Sequence, residues 1–326
     1  AFYGDWFMEK VRRGEVCVFH PYGRRKFTVS LKPEHVAALV FWSKNYAPFF
    51  RYLDDIEAHG HRCVFFFTIT GLPKVLEPRV PPLREALATF KALSRRYSPR
   101  HVLWRYDPIV LSNRTPPEYH VKTFRYLCRQ LEGYTHRCYI SYVNFYPKVK
   151  RNLEKLAAFG WIFPEFPKVE KIHLAEYLAG VAAAHGIEIY SCCNNFLTGL
   201  RIHRAHCVDV DLLSYLFGLD KALYRIRPTR SQCGCYESID IGAYKTCWHR
   251  CLYCYAGGCR PVAPSKEYLA PSGHDCGIRA DPNAIEVGLG QEACEEEKGV
   301  ASNGSSADID PRGTKVCLQL SFDFRK

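Results

Sequence analysis

Six short apolar runs alternate with longer, mixed stretches, and this alternation restricts the fold more than any other feature of the sequence. The runs are rich in β-branched and aromatic residues, as strands are. They are Ala37–Trp42, Cys63–Ile69, Val102–Tyr106, Cys138–Val143, Ile187–Ser191 and Ile239–Ala243. Helices are predicted at Phe2–Val11, Pro48–His59, Leu83–Tyr97, Pro117–Leu131, Lys148–Phe159, Val169–His185 and Val210–Phe217. Such alternation predicts βαβ units and a parallel sheet, so we predict an α/β fold that forms a partial or full (β/α) barrel.

Polar side chains follow the predicted strands, at the end where barrel enzymes place their active sites. We therefore predict contacts with substrate or cofactor from Lys44, Thr70, Gly71, Arg105, Asp107, Tyr146 and Lys148. Each also has a structural explanation. Lys44 could reach out at the rim, Thr70-Gly71 could be a turn, Tyr146 could be core, and Arg105 could form a buried ion pair with Asp107, because the two are two positions apart on a strand.

The last predicted strand runs into a Cys-x3-Cys-x2-Cys loop formed by Cys247, Cys251 and Cys254. Thiolates are soft ligands that select zinc, copper(I) or iron–sulfur clusters. The spacing, with Tyr253 just before the last cysteine, resembles the motif of radical S-adenosylmethionine (SAM) enzymes. That resemblance implies a 4Fe-4S cluster with one open iron, at which SAM binds and is cleaved to a 5′-deoxyadenosyl radical, and Tyr253 would contact the cofactor. The cofactor would supply the chemistry, and the protein would orient and shield it.

Two other readings of the same loop remain open. Structural zinc is usually closed by four ligands, which would be the three motif cysteines with Cys259 or His249. The thiols could also be unligated.

A second group of cysteines precedes the motif: Cys192, Cys207, Cys233 and Cys235. Four thiolates could hold an auxiliary iron–sulfur cluster or a zinc ion, although the irregular spacing is equally compatible with unligated thiols. Cys17, Cys63, Cys128 and Cys138 lie in apolar runs and are predicted to be core residues.

The composition is that of a globular protein with an uneven charge. Among 326 residues are 16 cysteines, which in a long chain suggest metal ligands or catalytic thiols in a reducing cytoplasm. No run of 18 apolar residues predicts a membrane span, and no secretory signal opens the chain. The net charge is +12, although residues 261–326 carry only 7 Lys or Arg against 11 Asp or Glu. The basic body favours an anionic partner or is a solvated surface, and no nucleic-acid-binding motif is recognised.

The sequence divides at about residue 260. We predict a barrel over residues 1–260 and a largely disordered acidic tail over 261–326, since Gly, Ser, Pro and acidic residues dominate there until Val316–Phe324. Cys276, Cys294 and Cys317 in this tail are not predicted to be ligands.

Several segments are similar to a bacterial and archaeal family called domain of unknown function 1848. They are AFYGDWF at 1–7, SLKPE at 30–34, VFWSKN at 40–45, TITG at 68–71, WRYDPI at 104–109, ISY at 140–142, and 233–256 with the cysteine motif. The resemblance implies a cysteine cluster like that of radical SAM enzymes, moved to the C-terminal side, and it implies no substrate. It also implies a further strand ahead of Ala1, without which the barrel would be one strand short.

The position of the cysteine loop suggests a circular permutation. In radical SAM barrels the loop follows the first strand, whereas here it follows the last. Reordering is tolerated where termini lie close together, so we predict that Ile239–Ala243 pairs beside an early strand.

Three functional hypotheses follow. The first is a radical SAM-type enzyme acting on an unknown, anionic substrate with electrons from a donor such as a flavodoxin or ferredoxin. The second is a zinc-stabilised nucleic-acid-binding protein. The third is an iron–sulfur redox or electron-carrier protein without SAM chemistry.

Overall fold

The computed structural model of the chain describes residues 2–19, 26–199, 201–228, 232–242, 246–256 and 316–321. The strands in it are β1 (Glu15–Phe19), β2 (Lys26–Ser30), β3 (Val36–Ser43), β4 (Cys63–Thr68), β5 (Val102–Ile109), β6 (Arg137–Tyr142), β7 (Glu188–Ser191), β8 (Ile202–Arg204), β9 (Ile239–Asp240) and β10 (Val316–Ser321). The α-helices are α1 (Gly4–Arg13), α2 (Leu53–Ala58), α3 (Leu83–Arg96), α4 (Pro117–Leu131), α5 (Pro147–Glu154), α6 (Lys168–Ala183) and α7 (Val210–Phe217).

Eight strands form one parallel sheet in the order β8-β7-β6-β5-β4-β3-β10-β9, while β1 and β2 form a separate antiparallel pair. From β3 to β8, neighbours in the sheet are also consecutive along the chain. The pairings of β10 with β3 and with β9 are parallel as well. The architecture is therefore an α/β fold with a parallel sheet flanked by helices, which is compatible with a Rossmann-like or a barrel-type fold.

The two faces of the sheet belong to different apolar clusters. One face packs on helices α1, α3, α4 and α6 through alternate strand residues such as Phe41, Phe65 and Trp104. The opposite face contributes Val40 and Phe66 to a smaller cluster that includes the apolar side of α7. Because side chains alternate along a strand, each strand serves both clusters, which explains why the strands are nearly continuous apolar runs.

Five of the six predicted strands are confirmed with small shifts at their ends, and the sixth is shorter than predicted. Strand β9 comprises Ile239–Asp240 within the described residues, and Ala243 lies outside them. Strand β8 was not predicted, because Ile202-His203-Arg204 is short and mostly polar. The predicted helix Lys148–Phe159 ends at Glu154 and is followed by a 3-10 turn.

The predicted partner of the last strand was wrong in one respect. Strand β9 pairs with β10, which separates it from the early strand β3, and β9 forms one edge of the described sheet. Strand β10 comes from the segment predicted to be a largely disordered tail, and Cys317 and Leu318 are buried in it. The rest of residues 261–326 lies outside the described residues. None of the helices among the described residues combines the length and the apolar composition that a membrane span requires.

Candidate functional site

A buried carboxylate, Glu77, gathers polar side chains from the ends of two neighbouring strands. Lys44, which directly follows β3, donates a hydrogen bond to Glu77 Oε1 over 3.0 Å. Thr70, two residues beyond β4, donates to the same oxygen over 2.6 Å. The side chains of Lys44 and Glu77 are only 6% and 5% exposed. The ion pair is therefore shielded from water, which strengthens the attraction and makes the loss of either partner costly.

The cysteine loop reaches the same carboxylate through Tyr253. The Tyr253 hydroxyl donates to Glu77 Oε1, and the Lys44 ammonium group lies 5.7 Å from the centroid of the Tyr253 ring. Burial, together with the nearby Cys251 and Glu77, raises the pKa of Tyr253 well above its ordinary value. The hydroxyl therefore keeps its proton and acts as a donor. Three predicted site residues, Lys44, Thr70 and Tyr253, thus meet on one atom.

The segment that carries Glu77 also holds the backbone of the cysteine loop. The Leu252 N–H donates to the Leu76 carbonyl over 3.0 Å, and the Arg79 N–H donates to the His249 carbonyl over 3.2 Å. Nδ1 of the buried His249 ring lies 3.2 Å from the Arg79 carbonyl, which is a further contact between the loop and this segment. These contacts give the loop a defined position at the carboxyl end of β4.

Helix α5 holds the loop from another side. Lys148 Nζ donates to the Tyr255 carbonyl over 3.1 Å, and Asn152 Nδ2 donates to the Leu252 carbonyl over 3.2 Å. The exposed Tyr146 ring packs on Tyr255 with 5.1 Å between centroids. Tyr146 and Lys148, predicted to contact substrate or cofactor, are therefore placed against the loop itself.

Helix α1 contacts the start of the loop. Tyr3 OH donates to the Thr246 carbonyl over 2.7 Å and accepts from Trp248 Nε1 over 3.0 Å. The start of the described chain is thus packed against the start of the cysteine loop.

Two of the three motif cysteines are buried, and the third is half-buried. Cys247 and Cys251 are 8% and 9% exposed, and the N–H of Cys254 donates to the Cys251 carbonyl over 3.1 Å in a turn. In the described part of the chain, no group of three or more His, Cys, Asp or Glu side chains is arranged to hold a metal ion. Cys259, the alternative zinc ligand, lies outside the described residues.

Arg105 and Asp107 form the buried ion pair that their spacing predicts. They lie at the end of β5, on the face opposite the α3 and α4 helices, and Asp107 also accepts a hydrogen bond from Ser141 of β6. The Arg105 guanidinium group lies 5.9 Å from the centroid of the Phe66 ring. A polar patch therefore occupies the carboxyl end of this face.

Gly71 has a backbone role. Its φ of +64° lies in the left-handed region, and an added Cβ would come within 2.6 Å of Thr123 Cγ2. Its carbonyl accepts a hydrogen bond from Tyr119 OH over 2.6 Å. Gly71 permits a sharp turn after Thr70, and the segment that follows this turn carries Glu77.

The second group of cysteines is brought together at the ends of β7 and β8. Cys192 Sγ lies 3.4 Å from Cys207 Sγ, the Cys207 N–H donates to Cys235 Sγ over 3.1 Å, and the Cys235 N–H donates to Cys233 Sγ over 3.4 Å. Contacts with Cys192 and Cys235, with burial, raise the pKa of Cys207 well above its ordinary value. The structure thus places the four cysteines next to one another, with one direct contact between sulfur atoms and two contacts between a backbone N–H and a sulfur.

Glu77 and Ser141 were missed by the sequence analysis. Glu77 stands nine residues beyond the end of β4, between apolar residues and Pro78, so a search of the residues directly after each strand does not reach it. The sequence feature that could have identified Glu77 is that it is the only acidic residue in segment 72–80, which is otherwise apolar or basic. Ser141 lies inside a strand, where a serine commonly has only a packing role.

Comparison with known protein families gives a match over most of the chain. The family model described as domain of unknown function (DUF1848) matches residues 1–256, which include β1 to β9 and all three motif cysteines. No curated protein matches the chain significantly, and no solved structure does.

Proposed function

The chain belongs to the DUF1848 family, and from that premise we propose that it is an iron–sulfur enzyme of the radical SAM type. The observation that carries the proposal is the position of the Cys-x3-Cys-x2-Cys loop. Tyr253 of that loop is hydrogen-bonded to Glu77, which also binds Lys44 and Thr70 at the carboxyl ends of β3 and β4. In α/β proteins, ligands bind at this end of a parallel sheet.

The donor set suits the proposed cofactor. Cysteine thiolates are the usual ligands of iron–sulfur clusters, normally four to a cluster. With three of them, Cys247, Cys251 and Cys254 would hold a 4Fe-4S cluster with one iron left for SAM. The turn that joins Cys251 and Cys254 brings two of these ligands close along the backbone. The side chains are not yet arranged around one centre, so loading requires rotation of the thiols about χ1. When bound, such a cluster would supply one electron for the reductive cleavage of SAM.

The residues around the loop would fix its position. Glu77 holds Tyr253 from one side, while Lys148 and Asn152 of α5 hold the loop carbonyls from another. Preorganisation of this kind reduces the cost of placing a cofactor in one geometry. Tyr253, with its raised pKa, would stay protonated and would add no negative charge beside three thiolates.

The sheet topology favours the barrel form of the α/β fold. From β3 to β8 the strands follow each other in sequence order, and the crossover helices α3, α4 and α6 share one apolar cluster on one face. Right-handed crossovers that always proceed in one direction put the connecting helices on the same face, as in a barrel, although α7 packs on the other face. A doubly wound sheet, by contrast, has helices on both faces.

The other face would then line the active site. Its carboxyl end carries Arg105, Asp107 and Ser141 in one hydrogen-bonded group. We infer that a polar substrate contacts this group, and the basic body of the chain favours an anionic one. An external electron donor, such as a flavodoxin or ferredoxin, would complete the reaction.

The test is anaerobic reconstitution of the full chain with iron and sulfide. We expect about four irons per chain and formation of 5′-deoxyadenosine from SAM with a strong reductant. A variant with Cys247→Ala, Cys251→Ala and Cys254→Ala should lose both, whereas Cys17→Ala, at a half-buried cysteine of β1, should retain both. Iron binding without 5′-deoxyadenosine would instead indicate a redox protein. Tight zinc at the motif with salt-dependent nucleic-acid binding would indicate the zinc alternative.

A further inference from the structure

We propose that Cys192, Cys207, Cys233 and Cys235 form a structural zinc site that is separate from the Cys-x3-Cys-x2-Cys loop. This inference does not depend on the proposed function, because it concerns the other four thiols. They come from the end of β7, from the segment after β8 and from the Cys233-Gly-Cys235 turn, and three of the four are buried.

The distance between Cys192 Sγ and Cys207 Sγ suits two ligands of a single metal ion. With Zn–S bonds of about 2.3 Å, neighbouring sulfurs of a tetrahedral site lie about 3.8 Å apart. Cys192 Sγ and Cys207 Sγ are 3.4 Å apart. The thiolates of a four-iron cluster sit on different irons, so they are much farther from each other. A disulfide would need the two atoms to approach to about 2.05 Å.

The backbone around the thiols supplies the hydrogen bonds that a zinc–thiolate site needs. The N–H groups of Cys207 and Cys235 point at the sulfurs of Cys235 and Cys233. N–H donors stabilise a thiolate in preference to a thiol. Hydrogen bonds of this kind to the ligand atoms hold the ligands of a metal ion in the correct orientation.

The Cys233-Gly-Cys235 turn is held tightly in place. His206 Nδ1 contacts the Gly234 carbonyl, and Arg204 Nη2 donates to the Cys233 carbonyl over 3.3 Å. A Cβ at Gly234 would come within 3.1 Å of His206 Cε1 and 3.2 Å of Arg204 Nε. The positive charge of Arg204 near this turn would also offset part of the negative charge of a tetrathiolate zinc site.

Cys193 is not part of the proposed ligand set. Its Sγ lies 3.8 Å from that of Cys192, a spacing that would also suit two ligands of one ion. We assign Cys192 as the ligand, because Cys192 Sγ also lies 3.4 Å from Cys207 Sγ. The backbone of Cys193 has a positive φ of 55°, and the residue is half-buried. A variant at this position therefore serves as a matched control.

The site has an evident structural use. The segment between Cys207 and Cys233 carries α7, which covers the face of the sheet opposite the other helices. Asp209 at the start of α7 caps it and pairs with Arg137 over 2.6 Å. A zinc ion would join both ends of this segment to the end of β7, and closing such a loop stabilises the fold by restricting the unfolded chain.

In the described part of the chain, the four cysteine side chains are not arranged around a common point. Rotation of the cysteine side chains between staggered χ1 positions is the movement by which they would close around the ion. We expect no rearrangement of the backbone.

The experiment measures the zinc and iron content per chain of a triple variant with Cys247→Ser, Cys251→Ser and Cys254→Ser. These changes remove the thiols of the cysteine loop, so any metal that remains is bound elsewhere. This triple variant should retain about one zinc per chain after treatment with a weak chelator. Adding Cys193→Ser should leave the zinc in place, whereas adding Cys207→Ser with Cys235→Ser should remove it.

If the variants that lack Cys207 and Cys235 fail to fold, binding of cobalt(II) to the triple variant provides a second test of the site. The metal-depleted triple variant should take up about one Co²⁺ and show the sulfur-to-cobalt charge transfer of a tetrahedral thiolate site. Adding Cys207→His should retain the metal and shift that spectrum, because one sulfur is replaced by nitrogen.

Four results would overturn the proposal. The triple variant could bind neither zinc nor cobalt, or zinc could remain bound after Cys207 and Cys235 are replaced. The site could also hold iron and sulfide instead of zinc, or metal-free protein prepared without air could contain a Cys192–Cys207 disulfide. Failure of iron–sulfur reconstitution at the motif would affect only the proposed function.

Discussion

The hydroxyl group of Tyr253 donates a hydrogen bond to Glu77 Oε1, an atom that also accepts from Lys44 and Thr70. The cysteine loop is therefore tied to a carboxylate that is 176 positions away in the chain. Because all four groups are buried, the contact has little competition from water. The position of the cysteine loop relative to β3 and β4 consequently depends on the charge and the hydrogen bonds of the Glu77 side chain.

We expect Glu77→Gln to destabilise the protein by roughly 3–5 kcal/mol, because the Lys44 ammonium group would stay buried without its carboxylate. The change is nearly isosteric, so the effect comes from charge. The measurement is urea-induced unfolding at pH 7. Glu34→Gln, at an exposed loop position, is the control and should change the free energy of unfolding by less than about 0.5 kcal/mol.

The double variant Lys44→Met with Glu77→Gln should recover most of this loss. It removes both charges, and the amide carbonyl introduced at position 77 can still accept from Thr70 and Tyr253. If the double variant were as unstable as Glu77→Gln alone, a stranded charge would not be the cause of the destabilisation.

Tyr253→Phe should weaken the attachment of the cysteine loop without moving a charge. A hydrogen bond to a charged group contributes about 1.5–3 kcal/mol, and we expect a loss in that range. Hydrogen exchange of the Leu252 N–H, which donates to the Leu76 carbonyl, should become faster, because the loop opens more often. Tyr215→Phe, at an exposed tyrosine of α7, should change neither quantity. Unchanged exchange in Tyr253→Phe would mean that the loop is held by its other contacts.

The sequence predicts the strands well where their burial leaves a continuous apolar run, as in Val36–Ser43 and Cys63–Thr68. It does not predict β8, whose three residues carry His and Arg, or the place of β10 between β3 and β9. The formation of β8 and the position of β10 both depend on pairing with strands that are distant in the sequence. Local hydrophobic periodicity does not indicate which strand a segment pairs with.

The candidate site was predicted in part for a comparable physical reason. Lys44, Thr70 and Tyr253 were found because they directly follow a strand or lie within a spaced motif. Glu77 was missed because it meets them only through the path of the chain after Gly71. The predicted pairing of Arg105 with Asp107 is confirmed, since residues two apart on a strand share a face.

Gly71→Ala should cost more stability than the same change at Gly133. Both residues have positive φ, +64° and +75°, so both changes carry the backbone penalty of about 1–2 kcal/mol. Only at Gly71 would the new Cβ meet another atom, Thr123 Cγ2 at 2.6 Å, whereas nothing lies within 4 Å at Gly133. We expect an additional loss of about 1–3 kcal/mol at Gly71 from overpacking.

The measurement for this pair is urea unfolding, and a third variant isolates the steric contribution. Thr123→Ser removes the obstructing methyl group and should restore part of the stability of Gly71→Ala. Equal losses at Gly71 and Gly133 would show that helix α4 moves aside at little cost.

The buried His120 should make the protein less stable in mild acid. It lies in the core, with Nδ1 2.8 Å from Tyr106 OH and Nε2 3.0 Å from the Val110 carbonyl. Burial lowers the pKa of His120 to about 4, against the smaller opposing effect of the Val110 hydrogen bond. In the unfolded chain the pKa is about 6.5, so below that pH the unfolded state binds the extra proton and is favoured.

Stability should therefore be complete above about pH 6.5 and should fall as the pH drops toward 4, by about 3 kcal/mol from this group. Burial also lowers the pKa of His61 to about 4, which adds to the same slope. Urea unfolding between these limits should give a flatter pH dependence for His120→Gln than for the unaltered protein, although the variant would be less stable at neutral pH. His173→Gln, at an exposed position of α6, should leave the slope unchanged. Parallel curves for His120→Gln and the unaltered protein would show that His120 is not the group that titrates, because its proton uptake on unfolding is the only source of the expected difference.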